Sequence, residues 1–215
     1  MKATARGCRS ERWFQVASTY GTDASKSALR SGYLNLCGTM PTGFRKRTDK
    51  TVCSMLRMLG EYRQAELILA YLPLHEEIDT TAVIQNARKD GKRVALPLLT
   101  REGTLEFYEV GSPDQVVAGS RGLKRAPSAD AKPLTTKDML GSVCLVPGLV
   151  FDGEGQRVGY GAGYYDNFLM FYPGQKVGLV RSVQVSSNPL PHTDHDVPVD
   201  VLVTEGSIWR CRRSE

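Results

Sequence analysis

The segment from Arg157 to Asp166 concentrates residue types that could hold a phosphorylated ligand. Glycines occupy positions 159, 161 and 163, and an arginine and an aspartate stand at the two ends. Glycines allow the backbone to approach a ligand closely and to aim successive N–H groups at phosphate oxygens. The guanidinium adds a planar donor array that is always charged. We therefore interpret the segment as a candidate phosphate-binding loop.

The glycine spacing excludes two common types of phosphate loop. Because residue 164 is tyrosine, the glycines do not follow Gly-x-Gly-x-x-Gly, and the chain contains no Gly-Lys-Ser or Gly-Lys-Thr sequence. A glycine-rich turn taken alone is more often structural. The binding interpretation depends on finding the glycines, an arginine, tyrosines and a carboxylate together in one short segment.

The charge balance points to an anionic ligand without identifying it. The 28 basic and 23 acidic residues leave a net charge of +5. The local basic excesses lie at residues 41–50 and 120–137, and neither forms a Lys/Arg block interleaved with aromatic residues. A small ligand such as a nucleoside triphosphate fits this distribution at least as well as a nucleic acid does. RNA binding stays open as a hypothesis that depends on net charge alone.

The composition of the 215-residue chain, with 41% hydrophobic and 24% charged residues, is that of an ordinary globular protein. Its five cysteines are odd in number and widely spaced, which argues against secretion and against structural zinc. No apolar run reaches the 18 residues of a membrane span. We expect a soluble, cytoplasmic protein that binds neither membrane nor nucleic acid.

The first residues of the chain form a basic leader. We predict that residues 1–22 are a disordered extension and that residues 23–215 form a single domain. An Arg-rich leader that is poor in acidic residues can also be a transit peptide, which would place the protein in mitochondria.

Apolar runs and breakers predict the elements that must position the candidate loop. We expect a helix from Asp23 to Gly38 and a second helix with Asp49 as its cap and Gly60 as its end. Residues 66–73 and 93–97 suit buried strands that flank a helix beginning at Thr80 or Thr81. This order is typical of a β-α-β unit.

The second half of the chain continues the alternation of strands and helices. We predict an edge strand at 104–110, a long loop at 111–135, a helix at 164–171, and strands at 142–147, 176–180 and 199–203. The pattern indicates an α/β fold, a three-layer sandwich with a mostly parallel, Rossmann-like sheet. The candidate loop then follows a strand at the carboxyl edge of the sheet, where open α/β sheets bind ligands.

The candidate loop also carries a family resemblance. Together with residues 147–152, it closely resembles the signature of the 5-formyltetrahydrofolate cyclo-ligases, also called methenyltetrahydrofolate synthetases. Three further segments match the family in the same order, at residues 26–30, 71–80 and 196–200. The similarity spans about residues 26–206, and four ordered motifs are far more specific than one.

The resemblance implies an enzyme that uses ATP and Mg²⁺ to close a ring. In the family, 5-formyltetrahydrofolate becomes 5,10-methenyltetrahydrofolate through phosphorylation of the formyl oxygen and attack by N10, with release of ADP and phosphate. The resemblance also implies a monomer with small-molecule substrates. An alternative hypothesis is a catalytically idle protein that binds folate or a nucleotide on the same scaffold.

The resemblance assigns roles to individual residues. Arg157 is expected to stabilise phosphate, and no residue is assigned as a general acid or base. The expected ATP contacts are Lys26, Arg30, Arg157, Gly159, Gly161, Gly163 and Tyr165. The expected substrate contacts are Leu72, Glu77, Tyr160 and Tyr164, and the expected magnesium ligands are Asp166 and Asp196.

Each assignment has a plainer alternative. Lys26 and Arg30, four residues apart, could belong to a solvated helix face. Glu77 could cap the helix near Thr80, and the tyrosines could be packing residues. We interpret Asp152, Asp194 and Asp200 as helix caps or surface charges.

Two departures from the family pattern affect these expectations. Tyr160 and Ala162 stand where some members have Arg and Lys, so charge at the transferred phosphate would depend on the three cations already named. Ala126 replaces an acidic residue that many members have, which leaves the role of the loop around it open.

Overall fold

The computed structural model describes residues 22–74, 77–111 and 130–211. A seven-stranded sheet forms its centre, and the five inner strands are parallel while both edge strands are antiparallel. In order across the sheet, the strands are β3 (Leu105–Glu109), β2 (Arg93–Leu99), β1 (Leu67–Leu69), β4 (Val143–Val146), β7 (Gln175–Leu179), β8 (Val201–Val203) and β9 (Ile208–Arg210). The predicted α/β class with a mostly parallel sheet is confirmed.

Apolar side chains cover both faces of the sheet because its inner strands are almost continuously hydrophobic. Along β1, Ile68 points into the cluster on one face, whereas Leu67 and Leu69 point into the cluster on the other. The first cluster is covered by α2 (Thr42–Leu56) and α4 (Thr81–Lys89), and the second by α5 (Tyr164–Leu169). The result is three layers.

The second predicted helix has different bounds from those expected. Asp49 lies in the middle of α2 rather than at its cap, and Gly60 begins α3 (Gly60–Gln64) rather than ending a helix. The expectation failed because residues 42–47 are mostly exposed and contain a single large apolar residue, Phe44, so they show no apolar periodicity. Asp49 is instead a buried residue with an arginine partner, Arg181.

Several small elements were not predicted. These are α3, the edge strand β9, a 3₁₀ turn at Ser182–Gln184, and a hairpin of β5 (Val150–Phe151) and β6 (Arg157–Val158). The predicted strand at 66–73 is paired only over β1, and the predicted helix at 164–171 ends at Leu169. The predicted extension, except Thr22, and residues 112–129 of the predicted loop lie outside the described residues.

The first helix packs against the hairpin of β5 and β6. Leu29 and Tyr33 of α1 (Thr22–Gly38) pack against Val150 and Val158 of the hairpin. This contact places the polar face of α1 beside the glycine segment that follows β6, although the helix and the segment are far apart in sequence.

The turn of this hairpin provides a test of the fold. Gly155 has a φ of +83°, and a Cβ there would collide with the backbone oxygen of Val199. We expect Gly155→Ala to lower the free energy of unfolding by about 2 kcal/mol or more, because alanine is strained in the left-handed region and the backbone oxygen cannot easily move. Denaturant unfolding followed by circular dichroism measures the loss.

The control is Gly153→Ala in the same turn. Gly153 has no positive φ, and a Cβ at this position would have no atom within 4 Å. We expect its free energy of unfolding to stay within about 0.5 kcal/mol of the wild-type value. Equal effects at the two glycines would contradict the described turn.

Candidate active site

A cavity of about 280 Å³ opens at the carboxyl edge of the sheet. It lies beyond the ends of β1, β2 and β4, the position at which open α/β sheets bind ligands. The cavity brings together every residue that the resemblance singled out: Lys26, Arg30, Leu72, Glu77, Arg157, Gly159, Tyr160, Gly161, Gly163, Tyr164, Tyr165, Asp166 and Asp196.

The first helix brings two cations to this cavity. The Lys26 ammonium lies 2.5 Å from Asp196 Oδ2, and its side chain is only 10% exposed. Arg30 Nε donates to the Gly159 carbonyl oxygen at 2.9 Å. Since Lys26 is buried and both side chains have partners across the cavity, they do not form the solvated helix face that was the plainer alternative.

Arg157 is the most deeply buried cation of the cavity. Its side chain is 5% exposed, and its Nη1 donates to Asp166 Oδ1 at 2.9 Å. Its Nε is also buried but has no hydrogen-bond partner among the described residues. A buried donor without an acceptor is costly, so Arg157 carries an unsatisfied polar atom in a side chain that lines the cavity.

The two carboxylates that were predicted to bind metal form ion pairs with these cations, Asp166 with Arg157 and Asp196 with Lys26. Asp166 Oδ1 also accepts from the backbone N–H of Val197, at 3.1 Å. Asp196 Oδ2 also accepts from the backbone and hydroxyl groups of Thr193. Burial alone would raise the pKa of Asp196, but the hydrogen bonds from Lys26 and Thr193 outweigh it and hold that pKa below its ordinary value. The carboxylate is therefore ionised at neutral pH.

The same carboxylates fit a magnesium ion that is shared with a nucleotide. Each is held through one oxygen, and within the described residues its other oxygen accepts no hydrogen bond. The described part of the chain contains no group of three or more His, Cys, Asp or Glu suited to a metal. Two carboxylates are compatible with the usual mode of Mg²⁺ binding, through one or two protein carboxylates together with phosphate oxygens and water.

Two glycines of the loop are required by its backbone geometry. Gly161 has a φ of +98°, and a Cβ there would lie 3.0 Å from Cζ of Arg30. Gly163 precedes α5 in the left-handed conformation, with a φ of +69°. The loop can thus pass close to the Arg30 guanidinium and then turn directly into the helix that carries Asp166.

The three tyrosines of the loop differ in their surroundings. Tyr160 and Tyr164 line the cavity and are partly exposed. The Tyr165 ring packs between the two core clusters, and its hydroxyl is buried without a hydrogen-bond partner among the described residues. Burial raises the pKa of Tyr165 well above its ordinary value, so the hydroxyl remains a neutral donor.

A further wall of the cavity is the segment of residues 71–74 and 77–79, from which Tyr71, Leu72, Leu74 and Glu77 line the cavity. The carboxylate of Glu77 is buried and accepts from the backbone N–H of Leu74 at 2.8 Å. The plainer alternative was that Glu77 caps the next helix. It is Asp79 that accepts from the backbone N–H of Thr81, at 2.9 Å near the start of α4.

Asp152 is neither the helix cap nor the surface charge that we expected. It is buried and accepts backbone hydrogen bonds from Glu154, Gln156 and Leu190, which close the hairpin turn. Asp200 forms an ion pair with Lys176 at 3.1 Å. Neither residue lines the cavity.

The sequence did not indicate Arg181 or its ion pair with Asp49. Arg181 follows β7 at the carboxyl edge of the sheet and is 1% exposed. A charged residue directly after an apolar strand was the only signal available, and it does not reveal a partner 132 positions away.

Comparison with known proteins agrees with the geometry. The family model described as the 5-formyltetrahydrofolate cyclo-ligase family matches residues 22–205. The chain belongs to this family. It is accordingly a ligase of folate and one-carbon metabolism.

Individual members of the cyclo-ligase family align over most of the chain. The 5-formyltetrahydrofolate cyclo-ligase of Saccharomyces cerevisiae is 30% identical over 86% of this chain and 98% of the yeast protein. The mitochondrial 5-formyltetrahydrofolate cyclo-ligase of Arabidopsis thaliana is 23% identical over 85% of this chain and 75% of the plant protein. The NMR structure of Aquifex aeolicus 5,10-methenyltetrahydrofolate synthetase superimposes with a TM-score of 0.73 at 32% identity, covering 88% of this chain and 94% of that one.

The buried tyrosine hydroxyls offer a test of the cyclo-ligase site. We expect Tyr165→Phe to keep or increase the free energy of unfolding, because it removes a buried hydroxyl that has no partner among the described residues. The expected ATP contact of Tyr165 requires this enclosed hydroxyl to become accessible when the nucleotide binds. Such a contact predicts ATP binding about tenfold weaker in the variant, the loss of a hydrogen bond of about 1.4 kcal/mol. Chemical unfolding and titration calorimetry measure the two effects.

Tyr62→Phe is the matched control. The Tyr62 hydroxyl is also buried without a partner in the described residues, but Tyr62 does not line the cavity. This variant should be as stable as Tyr165→Phe and bind ATP like the wild type. Wild-type ATP affinity in Tyr165→Phe would show that the hydroxyl has no role in binding the nucleotide.

Proposed function

We propose that this protein catalyses the ATP-dependent cyclisation of 5-formyltetrahydrofolate to 5,10-methenyltetrahydrofolate, with release of ADP and phosphate. The observation that carries the proposal is the lining of one cavity. Lys26, Arg30 and Arg157 line it together with the glycine loop, and Leu72 and Glu77 line it as well. A nucleotide and a folate could therefore meet at the same site.

The chemistry requires the formyl oxygen to be turned into a leaving group. The γ-phosphoryl group of ATP would pass to that oxygen, forming a C–O–P linkage and releasing ADP. N10 of the folate would then attack the formyl carbon and lose its proton. The C–O bond would break, phosphate would depart, and the methenyl bridge would remain.

The side chains of the cavity suit this reaction because phosphoryl transfer depends on alignment and on neutralising charge. Arg157 would stabilise the charge of the transferring group. Lys26 and Arg30 would hold the remaining phosphates. Leu72, Tyr160 and Tyr164 would contact the folate, and Glu77 would accept hydrogen bonds from its pterin ring.

Magnesium would be held by Asp166 and Asp196. When bound, the ion would neutralise phosphate charge and help to fix the orientation of the triphosphate. The two residues would thus serve both the ion and the cations that already pair with them, Arg157 and Lys26.

We further propose that the protein acts as a monomer in the cytoplasm, with residues 23–215 as one catalytic domain. The described residues contain no helix long and apolar enough to cross a membrane. The alternative is mitochondrial import through residues 1–22, a hypothesis supported by the name of the Arabidopsis relative. Imaging of the full-length protein with a C-terminal tag distinguishes the two compartments.

The proposed reaction is tested by turnover. Purified protein should convert 5-formyltetrahydrofolate to a product with methenyltetrahydrofolate absorbance when both Mg²⁺ and ATP are present, and omission of either should abolish conversion. No product at high enzyme concentration would contradict the proposal. Tight binding of ATP or folate without turnover would instead support the idle binding protein.

The role of Arg157 gives a further prediction. Arg157→Ala should lower kcat about 100-fold or more, because it removes donors directed at the transferred charge. Arg157→Lys should recover only part of the rate, since lysine keeps the charge but loses the planar array of donors. The control Arg93→Ala removes an arginine that is half exposed and outside the cavity, and it should leave kcat unchanged. Full activity in Arg157→Ala would refute the phosphate role alone.

A further inference from the structure

We propose that the buried ion pair of Arg181 with Asp49 positions the folate-side wall of the cavity, so that Arg181 sets folate affinity without contacting either substrate. This inference rests on the proposed function, because it assumes that residues 71–74 and 77–79 face the folate. Neither Arg181 nor Asp49 lines the cavity of the active site.

One guanidinium joins the wall segment to α2. Arg181 Nη2 lies 2.7 and 2.9 Å from the two carboxylate oxygens of Asp49. The same nitrogen donates to the backbone oxygen of Glu77 at 3.1 Å. Asp49 Oδ2 in turn accepts from the backbone N–H of Asp79 at 3.2 Å. The end of the wall segment is therefore attached to both members of the pair.

The network also reaches a second segment that lines the cavity. Arg181 Nη1 donates to Gln184 Oε1 at 3.1 Å, and Gln184 Nε2 donates to the Leu149 backbone oxygen at 2.9 Å. Leu149 directly follows Pro147 and Gly148, which line the cavity. Arg181 thus fixes the separation of two wall segments.

Packing holds only part of the wall segment. Tyr71, Leu72 and Ile78 are buried in the core cluster, whereas Leu74 and Glu77 border both the active-site cavity and a second cavity of about 260 Å³. Arg181 and Asp49 border that second cavity. Beside Leu74 and Glu77, where close packing is interrupted, the hydrogen bonds from Arg181 and to Asp49 hold the backbone.

The ion pair is a poor source of stability. Burial raises the pKa of Asp49 even though Arg181 and the Asp79 N–H lower it. Replacing such a buried pair by apolar residues is often neutral for folding, whereas removing one member leaves a costly unpaired charge. A role in positioning accounts for this pair better than a role in stability.

The side chains that we propose to bind ATP are held by contacts that involve neither Arg181 nor Asp49. Lys26 and Arg30 are bonded to Asp196 and Gly159, and Arg157 is bonded to Asp166. Loss of the Arg181 network should therefore affect the folate and leave ATP largely unaffected. A loss of general stability would not separate the two substrates in this way.

The test is the double variant Arg181→Met/Asp49→Leu, which removes the pair without leaving a buried charge. We expect its KM for 5-formyltetrahydrofolate to rise about tenfold or more, as expected when a binding wall is displaced, while its KM for ATP stays within about twofold. Amide hydrogen exchange of residues 71–74 and 77–79 should become faster. The control Arg57→Met/Asp90→Asn removes another ion pair of the α2 end, 3.0 Å long, and should change neither KM.

A second variant tests the same inference if the double variant does not fold. Arg181→Lys keeps the charge but cannot bridge Asp49, Glu77 and Gln184 together. It should raise the folate KM with little change in the ATP KM. Unchanged folate affinity in either folded variant, or an equal loss for both substrates, would overturn the inference.

Failure of the proposed function would be seen separately. Wild-type protein without turnover would contradict the reaction, and calorimetric Kd values for 5-formyltetrahydrofolate and ATP would then replace the two KM values. A weaker folate Kd with an unchanged ATP Kd in the variants would support the positioning role, and equal Kd values in variant and wild type would refute it.

Discussion

A cation buried at the carboxyl edge of the sheet constrains the rest of the site. Arg157 cannot be removed from water without a carboxylate partner, because an isolated buried charge is strongly unfavourable. Asp166 meets this need from α5. That helix can begin there only because Gly163 takes up a left-handed conformation. The glycine loop is therefore the link that allows the charge pair to form, in addition to being a candidate cradle for phosphate.

Lys26 and Asp196 form a second ion pair of a cation with a carboxylate, again between different parts of the fold. The two residues are 170 positions apart, and they join the first helix to a turn near the last parallel strand. Val197 also donates to Asp166, so both carboxylates belong to one connected network. Such a network holds charge in place before a ligand arrives, which is what stabilisation of phosphate charge requires. The net charge of the whole protein contributes little to this arrangement.

The parts of the structure that follow from local pattern could be predicted from sequence. Continuous apolar runs produced the parallel strands, and the glycines with Arg157 marked the loop at the sheet edge. Asp49 and Gly60 were assigned to helix ends because capping rules consider only local neighbours. The burial of Asp49 depends instead on its ion pair with Arg181. The two residues are 132 positions apart, so local rules cannot reveal the pair. The hairpin of β5 and β6 was missed because strands of two residues carry no periodicity.

We propose that ATP and folate react with each other inside one cavity. The most direct measurement uses 5-formyltetrahydrofolate labelled with ¹⁸O in its formyl group, with mass spectrometry of the phosphate released in the presence of Mg²⁺ and ATP. Direct phosphorylation of the formyl oxygen predicts that the label appears in inorganic phosphate. Unlabelled phosphate, with the ¹⁸O recovered in water, would contradict the account.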